Sequence, residues 1–260
     1  MTILDQLAKH ARARMLEAEK VISAHELSQK AFSLPAGNFE FEKALKKDGI
    51  SFICECKKAS PSKGLIASDF PYLQIAREYE EAGADCISVL TEPKWFLGSD
   101  EYLKEIAKEV SVPCLRKDFT VDEYMIYEAK VLGAKAVLLI CSILSKEQLA
   151  NYIRICDSLG LSALTEVHNE AEVNIALSVG ARVIGVNNRN LRDFTVDTEN
   201  SARLRDLIPS EVVFVSESGV KGPGDISALK DIGADAVLIG ETLMRSADKK
   251  SALAKLKGES

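Results

Sequence analysis

Short apolar runs recur along the chain from residue 48 onward, and the stretches between them have helical spacing. The apolar runs are "ISFICEC", "DCISVLT", "VPCLRK", "AVLLICS", "LSALTEV", "RVIGVN", "VVFVSES" and "AVLIG". Between the first two runs, Tyr72, Ile75, Ala76 and Tyr79 recur at the spacing of one helical face. The pattern therefore predicts strands that alternate with amphipathic helices.

The joints between helices and strands repeat as well. The segments "EAGADC", "VLGAKAV", "SVGARVI" and "DIGADAV" each place a glycine just before an apolar run, where it ends a helix at low steric cost. Repeated right-handed βα units form either an open doubly wound sheet or a closed barrel. Eight apolar runs without a dinucleotide-type glycine-rich turn favour the barrel. We therefore predict an α/β protein with a single (β/α)8 TIM barrel.

Residues 1–48 precede the first apolar run and have a helical pattern. Ile3, Leu4 and Leu7 are apolar, and "SAHE" at 23–26 has the form of a capping box. We predict an N-terminal helical extension, residues 1–48, packed on a barrel of residues 49–260 in one domain overall. The extension either caps an exposed edge of the barrel or acts as a lid over a site, and packing is the expected main role.

Polar residues stand at the carboxyl ends of the predicted strands. Alternation places Glu55 and Lys57 on the opposite face from Cys54 and Cys56, so the two charged side chains point into the barrel. Buried charges require pairing or water, which predicts an open polar mouth. The other polar strand-end residues are Glu92, Lys117, Glu166, Asn187, Arg189 and Glu217. Any one of these residues, taken alone, is better explained by a surface ion pair. Their joint placement at the strand ends predicts an active site at the carboxyl face of the barrel instead.

Two segments indicate phosphate binding. "SESGVKG" at 216–222 and "IGETLM" at 239–244 follow the seventh and eighth predicted strands, where barrels commonly bind phosphate through backbone N–H groups. Gly219 and Gly240 could each be simple turn residues, but their location after the last two strands favours a phosphate-binding role. Several basic residues would surround the ligand and attract an anionic small molecule: Lys57, Lys58, Lys63, Lys117 and Arg189.

Charge and composition exclude several classes of protein. A formal net charge of -6 opposes binding to nucleic acid or to an anionic membrane. The chain has no apolar run of membrane-spanning length and no signal-peptide pattern, so we predict a cytoplasmic protein. The six cysteines form no C-x-x-C pair, so we expect core residues and no metal site. A monomer or a weak homodimer is expected.

Seven segments in register resemble the signature segments of the indole-3-glycerol phosphate synthase family. They are "ECKKASPSKG", "LTEPKWFLGS", "LRKDF", "LTEVH", "VNNRNL", "SESGV" and "IGETLM". The resemblance covers residues 50–245, and the helical extension is also similar to that of the family. It implies closure of an indole ring on 1-(2-carboxyphenylamino)-1-deoxy-D-ribulose 5-phosphate, with loss of carbon dioxide and water. This general acid/base chemistry requires no cofactor and no metal.

The resemblance also implies roles for individual residues. Lys117 is the general acid, and Glu166 is its acid/base partner. A lowered pKa of Lys117 is expected, with Lys57 as the neighbouring cation. The further catalytic residues are Lys57, Glu55, Asn187 and Glu217. The substrate-binding residues are Ser60, Phe96, Phe119, Arg189 and Leu191. The phosphate-binding residues are Ser218, Gly219, Gly240 and, through its backbone N–H, Glu241.

Alternative functions remain open from the residues alone. A different phosphosugar barrel enzyme, such as an isomerase, would use the same mouth, and a Schiff-base aldolase would use Lys57 or Lys117 as nucleophile. A catalytically idle barrel would serve as a binding subunit, although intact Lys117 and Glu166 argue against this. His168, Asp118 and Lys58 are interpreted as residues that support the site or the fold.

Overall fold

Strand pairing forms a closed ring in the computed structural model, which describes residues 2–191 and 193–259. Within these residues, eight parallel strands each pair with the next strand in the chain, and the first pairs with the last. The strands are β1 (Ser51–Cys56), β2 (Cys86–Leu90), β3 (Cys114–Lys117), β4 (Ala136–Ile140), β5 (Ser162–Val167), β6 (Val183–Asn187), β7 (Val213–Glu217) and β8 (Ala236–Ile239). The predicted (β/α)8 barrel is confirmed.

Helices surround the barrel and precede it. The helices before the first strand are α1 (Ile3–Glu19), α2 (Ala24–Ser33) and α3 (Glu40–Leu45). Those that follow are α4 (Tyr72–Glu81), α5 (Asp100–Glu109), α6 (Glu123–Leu132), α7 (Lys146–Leu159), α8 (Glu170–Ser178), α9 (Glu199–Arg205), α10 (Pro223–Asp231), α11 (Glu241–Met244) and α12 (Lys249–Lys257). A short hairpin pairs Ala59–Ser60 with Gly64–Leu65, and a 3-10 turn spans Cys141–Ile143.

Local sequence signals set the helix ends. Ser145 forms the capping box with Gln148 at the start of α7, and Thr2 forms one with Asp5 at the start of α1. The joint glycines Gly83, Gly133, Gly180 and Gly233 have φ between +73° and +96°. The repeated joints are therefore helix ends of the predicted type.

The helices cover the barrel with apolar side chains. Tyr79 and Ala76 of α4 are fully buried, and Ile75 is nearly so. The cysteines of the chain all lie within the described residues, and each is buried with a free thiol. Within the part of the chain that the structure describes, no helix is long and apolar enough to cross a membrane.

The end of the extension crosses the amino-terminal end of the barrel. Phe41 and Leu45 of α3 are fully buried. The Ser51 hydroxyl at the start of β1 donates to the Leu45 carbonyl, and the Glu42 N–H donates to the Ser162 hydroxyl at the start of β5. Since β1 and β5 lie on opposite sides of the ring, α3 closes its bottom.

The beginning of the extension reaches the opposite end of the barrel. Arg14 of α1 donates to the Asp118 carboxylate at 2.6 Å, directly after β3. His10 Nδ1 lies 3.0 Å from Glu92 Oε1, after β2. Between these two ends, α2 packs on α6, and the Tyr124 hydroxyl of α6 donates to the carbonyl of Ile22, just before α2. The extension therefore runs along the barrel from its carboxyl face to its base.

Candidate active site

A cavity of about 530 Å³ opens at the carboxyl ends of the strands. Apolar side chains such as Leu138, Ile140 and Leu238 form part of its wall, and several strands contribute charged groups above them. Every residue proposed for the site from the sequence lines this cavity: Glu55, Lys57, Ser60, Phe96, Lys117, Phe119, Glu166, Asn187, Arg189, Leu191, Glu217, Ser218, Gly219, Gly240 and Glu241.

Glu55 and Lys57 form an ion pair on the inner face of β1. The distance from Lys57 Nζ to Glu55 Oε1 is 2.6 Å, and the Ser88 hydroxyl donates to Glu55 Oε2. Burial raises the pKa of Glu55, but Lys57 and Lys117 outweigh that effect and lower it below its ordinary value. Glu55 is therefore an ionised acceptor in the wall of the cavity.

Lys117 lies between two buried carboxyl groups. Its Nζ is 4.0 Å from Glu166 Oε2 and 3.9 Å from Glu217 Oε2. Burial lowers the pKa of Lys117, but Glu217, Glu55 and Glu166 together raise it above its ordinary value. The expected lowering is wrong, because Lys57 is paired with Glu55 and the carboxyl groups dominate around Lys117. Lys117 is thus an ammonium group at neutral pH.

Glu217 holds a proton much more tightly than an ordinary carboxyl group. Burial and the charge of Glu166 raise its pKa to about 8, although Lys117 opposes them. Its Oε1 and the Oε1 of Glu166 are buried without a hydrogen-bond partner among the described residues. Near pH 7 the cavity therefore contains a protonated Glu217 carboxyl beside an ammonium group.

Two glycines provide space for these side chains. A Cβ atom on Gly185 of β6 would lie 2.1 Å from Glu217 Oε1, and one on Gly240 would lie 2.6 Å from Glu55 Oε1. Ordinary side chains at either position would displace a carboxyl group. The glycines thus fix where Glu217 and Glu55 stand.

Aromatic and basic side chains line the outer part of the cavity. The rings of Phe96 and Phe119 lie with centroids 6.0 Å apart. The Arg189 guanidinium donates to the Phe194 carbonyl at 3.3 Å, and the Arg189 N–H donates to Asn187 Oδ1 at 3.0 Å. This arrangement suits a flat aromatic group that carries an acid.

The segment after β7 has an unusual backbone. Ser218 and Gly219 both have positive φ, +68° and +100°. Asn188 holds the turn, since its Nδ2 donates to the Ser218 carbonyl and to the Ser216 hydroxyl. Its Oδ1 accepts hydrogen bonds from the N–H and hydroxyl of Ser201. Turns of this kind present backbone N–H groups to an anion.

Comparisons with known proteins identify the family of the chain. The family model "Indole-3-glycerol phosphate synthase" matches residues 4–256. The chain belongs to the indole-3-glycerol phosphate synthase family. It is 56% identical to the indole-3-glycerol phosphate synthase of Ruminiclostridium cellulolyticum, over 98% of this chain and 99% of that protein. It is 50% identical to that of Leuconostoc mesenteroides, over 99% of both chains.

Solved structures share the fold at much lower identity. KGPDC from Streptococcus mutans matches with a TM-score of 0.64 and 11% identity, over 82% of this chain and 97% of that chain. A 3-hexulose-6-phosphate synthase matches with a TM-score of 0.64 and 15% identity, over 81% and 99%. These likenesses show the barrel alone, whereas the family match makes the chain a lyase of the tryptophan pathway that acts on a phosphorylated small molecule. The isomerase, aldolase and idle-barrel alternatives are therefore set aside.

Glu92 and Lys58 lie outside the cavity, and Asp118, at its wall, directs its carboxylate to another partner. The Glu92 carboxylate turns away from the cavity and accepts the N–H groups of Trp95 and Phe96 within its own loop. Lys58 does not line the cavity, so it is not part of the predicted basic mouth. Asp118 binds Arg14 with its carboxylate, in agreement with its interpretation as a supporting residue.

Sequence reasoning missed several residues that line the cavity. Ile3 and Leu7 reach it from α1, and Phe194 reaches it from the segment after β6. Lys221 and Arg245 add cations at the rim. Lys221 is visible in "SESGVKG", but nothing in the sequence places Ile3 and Leu7 beside residues that follow them by more than 100 positions. Within the described residues, no group of three or more histidine, cysteine or acidic side chains could hold a metal ion.

Proposed function

We propose that the protein converts 1-(2-carboxyphenylamino)-1-deoxy-D-ribulose 5-phosphate to indole-3-glycerol phosphate, with Lys117 as the general acid of ring closure. The observation that carries this proposal is the position of Lys117 Nζ, 4.0 Å from Glu166 Oε2 and 3.9 Å from Glu217 Oε2. An ammonium group between two carboxyl groups can donate a proton and be reprotonated. Its place inside a cavity brings that proton to a bound ketone.

The first step forms a carbon–carbon bond. The aryl carbon that carries the carboxylate attacks the C2′ ketone, and the ketone oxygen gains negative charge. Lys117 donates its proton to this oxygen as the charge develops. The raised pKa of Lys117 is compatible with this role, because the alkoxide formed at C2′ is more basic than an amine.

Decarboxylation and dehydration follow. The carboxyl group leaves the ring carbon as carbon dioxide, and its bonding electrons return to the ring. The C2′ hydroxyl then leaves as water and a proton is lost, which completes the aromatic indole. Glu166 serves as the acid/base partner in these proton transfers, and the protonated Glu217 donates a hydrogen bond in the same cavity.

Substrate binding uses the outer part of the cavity. Arg189 suits the anthranilate carboxylate because a guanidinium can donate two parallel hydrogen bonds. Phe96, Phe119 and Leu191 would contact the aromatic ring. Lys57, Glu55, Asn187 and Ser60 would hold the hydroxyl groups of the sugar and the charge network.

The phosphate site is proposed at the ends of β7 and β8. The backbone N–H groups at Ser218, Gly219, Gly240 and Glu241 would bind the phosphate oxygens. The Glu241 carboxylate does not oppose this role, because it pairs with Arg245 at 3.1 Å and with Lys63 at 3.5 Å. These two cations also leave positive charge at the rim.

Replacement of Lys117 tests the proposal. In the variant Lys117→Ala, we expect kcat for indole formation to fall by about 10²- to 10⁴-fold, the usual contribution of a general acid. Substrate affinity, measured by calorimetric titration, should change much less. The exposed Lys146→Ala serves as the control and should keep the wild-type rate. A Lys117→Ala enzyme at near wild-type rate would refute the assignment, and borohydride inactivation with substrate would indicate an imine mechanism instead.

We propose a cytoplasmic enzyme, because the chain is similar to biosynthetic enzymes. We also propose that it has no nucleic-acid partner, because the net charge of -6 opposes binding to polyanions. We also propose a monomer or weak homodimer. Light scattering at increasing protein concentration tests this, and a stable larger oligomer at low concentration would contradict it.

A further inference from the structure

His168 stands directly behind the proposed acid/base residue Glu166. It follows β5, two positions after Glu166, so strand alternation turns both side chains to the same face. His168 Nε2 lies 3.4 Å from Glu166 Oε1, and His168 Nδ1 lies 3.3 Å from Glu172 Oε2. The imidazole therefore lies between two carboxyl groups, with its side chain 18% exposed.

Glu172 is itself held in place in the first turn of α8. Its Oε2 accepts the His168 backbone N–H at 2.8 Å, and its Oε1 accepts the Asn169 side-chain amide at 2.9 Å. On the other side, the Asn200 side chain donates to the His168 carbonyl. The imidazole ring is thus held between elements that leave it little freedom to move.

The contact between His168 and Glu166 links two polar atoms that lack other partners. Glu166 Oε1 and His168 Nε2 are both buried, and neither makes a hydrogen bond among the described residues. Because they face each other at 3.4 Å, a small rotation of either side chain forms a hydrogen bond. The second oxygen, Glu166 Oε2, faces Lys117 instead.

The groups around His168 favour its charged form. Glu166 faces it from β5, Glu172 from α8 and Glu217 from β7. The Cys141 thiol of the 3-10 turn lies next to them and contacts the Glu172 carbonyl. Burial lowers the pKa of His168, but the hydrogen bond to Glu172 and the surrounding carboxyl charges raise it above its ordinary value.

We propose that His168 is a positioning residue for Glu166: it is held by Glu172, donates to Glu166 Oε1 and leaves Glu166 Oε2 directed at Lys117. This inference rests on the proposed role of Glu166 and adds a division between its two oxygens. The imidazolium holds Glu166 Oε1 as a hydrogen-bond acceptor, while the neighbouring Glu217 carries the proton. Glu166 then enters the reaction as a base with one free, correctly aimed oxygen.

Two substitutions at His168 separate this role from simple packing. The Gln side chain places its amide near the position of Nε2, toward Glu166, whereas the Asn side chain places its amide near Nδ1, toward Glu172. We therefore expect His168→Gln to keep more activity than His168→Asn. For His168→Asn, kcat for indole formation should fall by about 10- to 100-fold, as for a misplaced catalytic group. KM should change by less than about threefold, since the substrate-binding residues are untouched.

The pH dependence provides a readout that a packing role would not move. The variant His168→Asn removes a positive charge 3.4 Å from the Glu166 carboxylate, and a nearby positive charge favours an ionised carboxylate. The acid limb of the kcat profile should therefore move to higher pH by about one unit in His168→Asn. Glu172→Gln should move it in the same direction. The exposed Glu170→Gln, in the same turn of α8, is the matched control and should match the wild type. Equal losses in the Asn and Gln variants with an unmoved acid limb would overturn the proposal.

A measurement without substrate keeps the test independent of the proposed function. Nitrogen-15 NMR titration of the imidazoles, with the His168 signals assigned by their loss in His168→Gln, should show that the pKa of His168 lies above the ordinary imidazole value of 6.5. Glu172→Gln and Glu166→Gln should each lower that pKa. If wild-type enzyme forms no indole, the proposed function fails while this titration still decides the His168 contacts. A His168 that titrates at the ordinary imidazole pKa of 6.5 and does not respond to either substitution would refute the inference.

Discussion

Glu217 is a buried carboxyl group whose pKa is set by burial and by charged neighbours on other strands. Its pKa of about 8 follows from burial and from Glu166, and Gly185 provides the space that its Oε1 occupies. The carboxyl group binds a proton more tightly in the folded protein than in the unfolded chain, where the ordinary value is 4.5. The proton thus stabilises the fold fully below about pH 4.5, and this contribution is lost as the pH rises to about 8.

The variant Glu217→Gln should therefore change the pH dependence of stability. The amide cannot ionise, so the variant should avoid the decline between about pH 4.5 and about pH 8. We expect its free energy of unfolding, relative to wild type, to rise by roughly 2–4 kcal/mol from about pH 4.5 to about pH 9. Urea unfolding at both pH values measures this. Parallel pH profiles for the two proteins would show that Glu217 ionises normally.

Strand alternation predicts which residues enter the site, but not their protonation. Glu55 and Lys57 point into the cavity because the side chains of β1 alternate, and this follows from the sequence. The pKa of Lys117 depends on carboxyl groups from β1, β5 and β7, which lie far apart in the chain. Their distances arise only when the ring closes, and for this reason the expected direction was wrong.

Helix α1 lines the candidate active-site cavity as well as forming part of the N-terminal extension. Ile3 and Leu7 line the cavity, and Arg14 anchors the helix to Asp118, which directly follows Lys117. The Asp118 carboxylate is fully buried, so its pairing with Arg14 also compensates a buried charge. The extension thus packs on the barrel and also forms part of the wall of the cavity.

The variant Arg14→Met should loosen this anchor. It leaves a buried carboxylate without its main partner, so we expect a loss of about 2–4 kcal/mol in the free energy of unfolding. KM should rise, because Ile3 and Leu7 lose their fixed position. The control Lys20→Met removes an exposed ion pair with Glu17 at the C-terminal end of the same helix and should cost less than about 1 kcal/mol. Equal losses in the two variants would show that the anchor is unimportant.

The helices and strands follow from their own sequences, whereas the path of the extension does not. The capping boxes and helix-ending glycines act within a few residues, so Ser145 and Gly133 mark the boundaries that the structure has. The contact of Arg14 with Asp118 spans 104 positions and depends on where α1 lies on the finished barrel. A local pattern contains no information of that kind.

At the scale of the molecule, the extension and the barrel meet through their backbones. The Gly37 N–H donates to the Leu159 carbonyl, and the Phe39 N–H donates to the Gly160 carbonyl. A Cβ atom on Gly160 would lie 2.0 Å from the Gly37 carbonyl oxygen. We propose that residues 1–48 and residues 49–260 unfold together, since this contact and α3 join the two parts.

The variant Gly160→Ala tests this joint. The added methyl group meets backbone, and φ at this position is +66°, so we expect a loss of about 3 kcal/mol or more in the free energy of unfolding. The control Gly180→Ala has φ of +81° but open space around it, so it should cost only about 1–2 kcal/mol. One unfolding transition in both variants supports a single unit. A separate early transition of the helical signal would contradict it.

The buried cysteines make it possible to measure how often the barrel opens. Burial raises the pKa of Cys56, Cys86 and Cys156 well above the ordinary value, so their thiols are both hidden and unreactive in the folded chain. An aromatic disulfide reagent can modify them only after the helices separate from the strands. The speed at which the thiols become labelled therefore measures how often the closed ring comes apart.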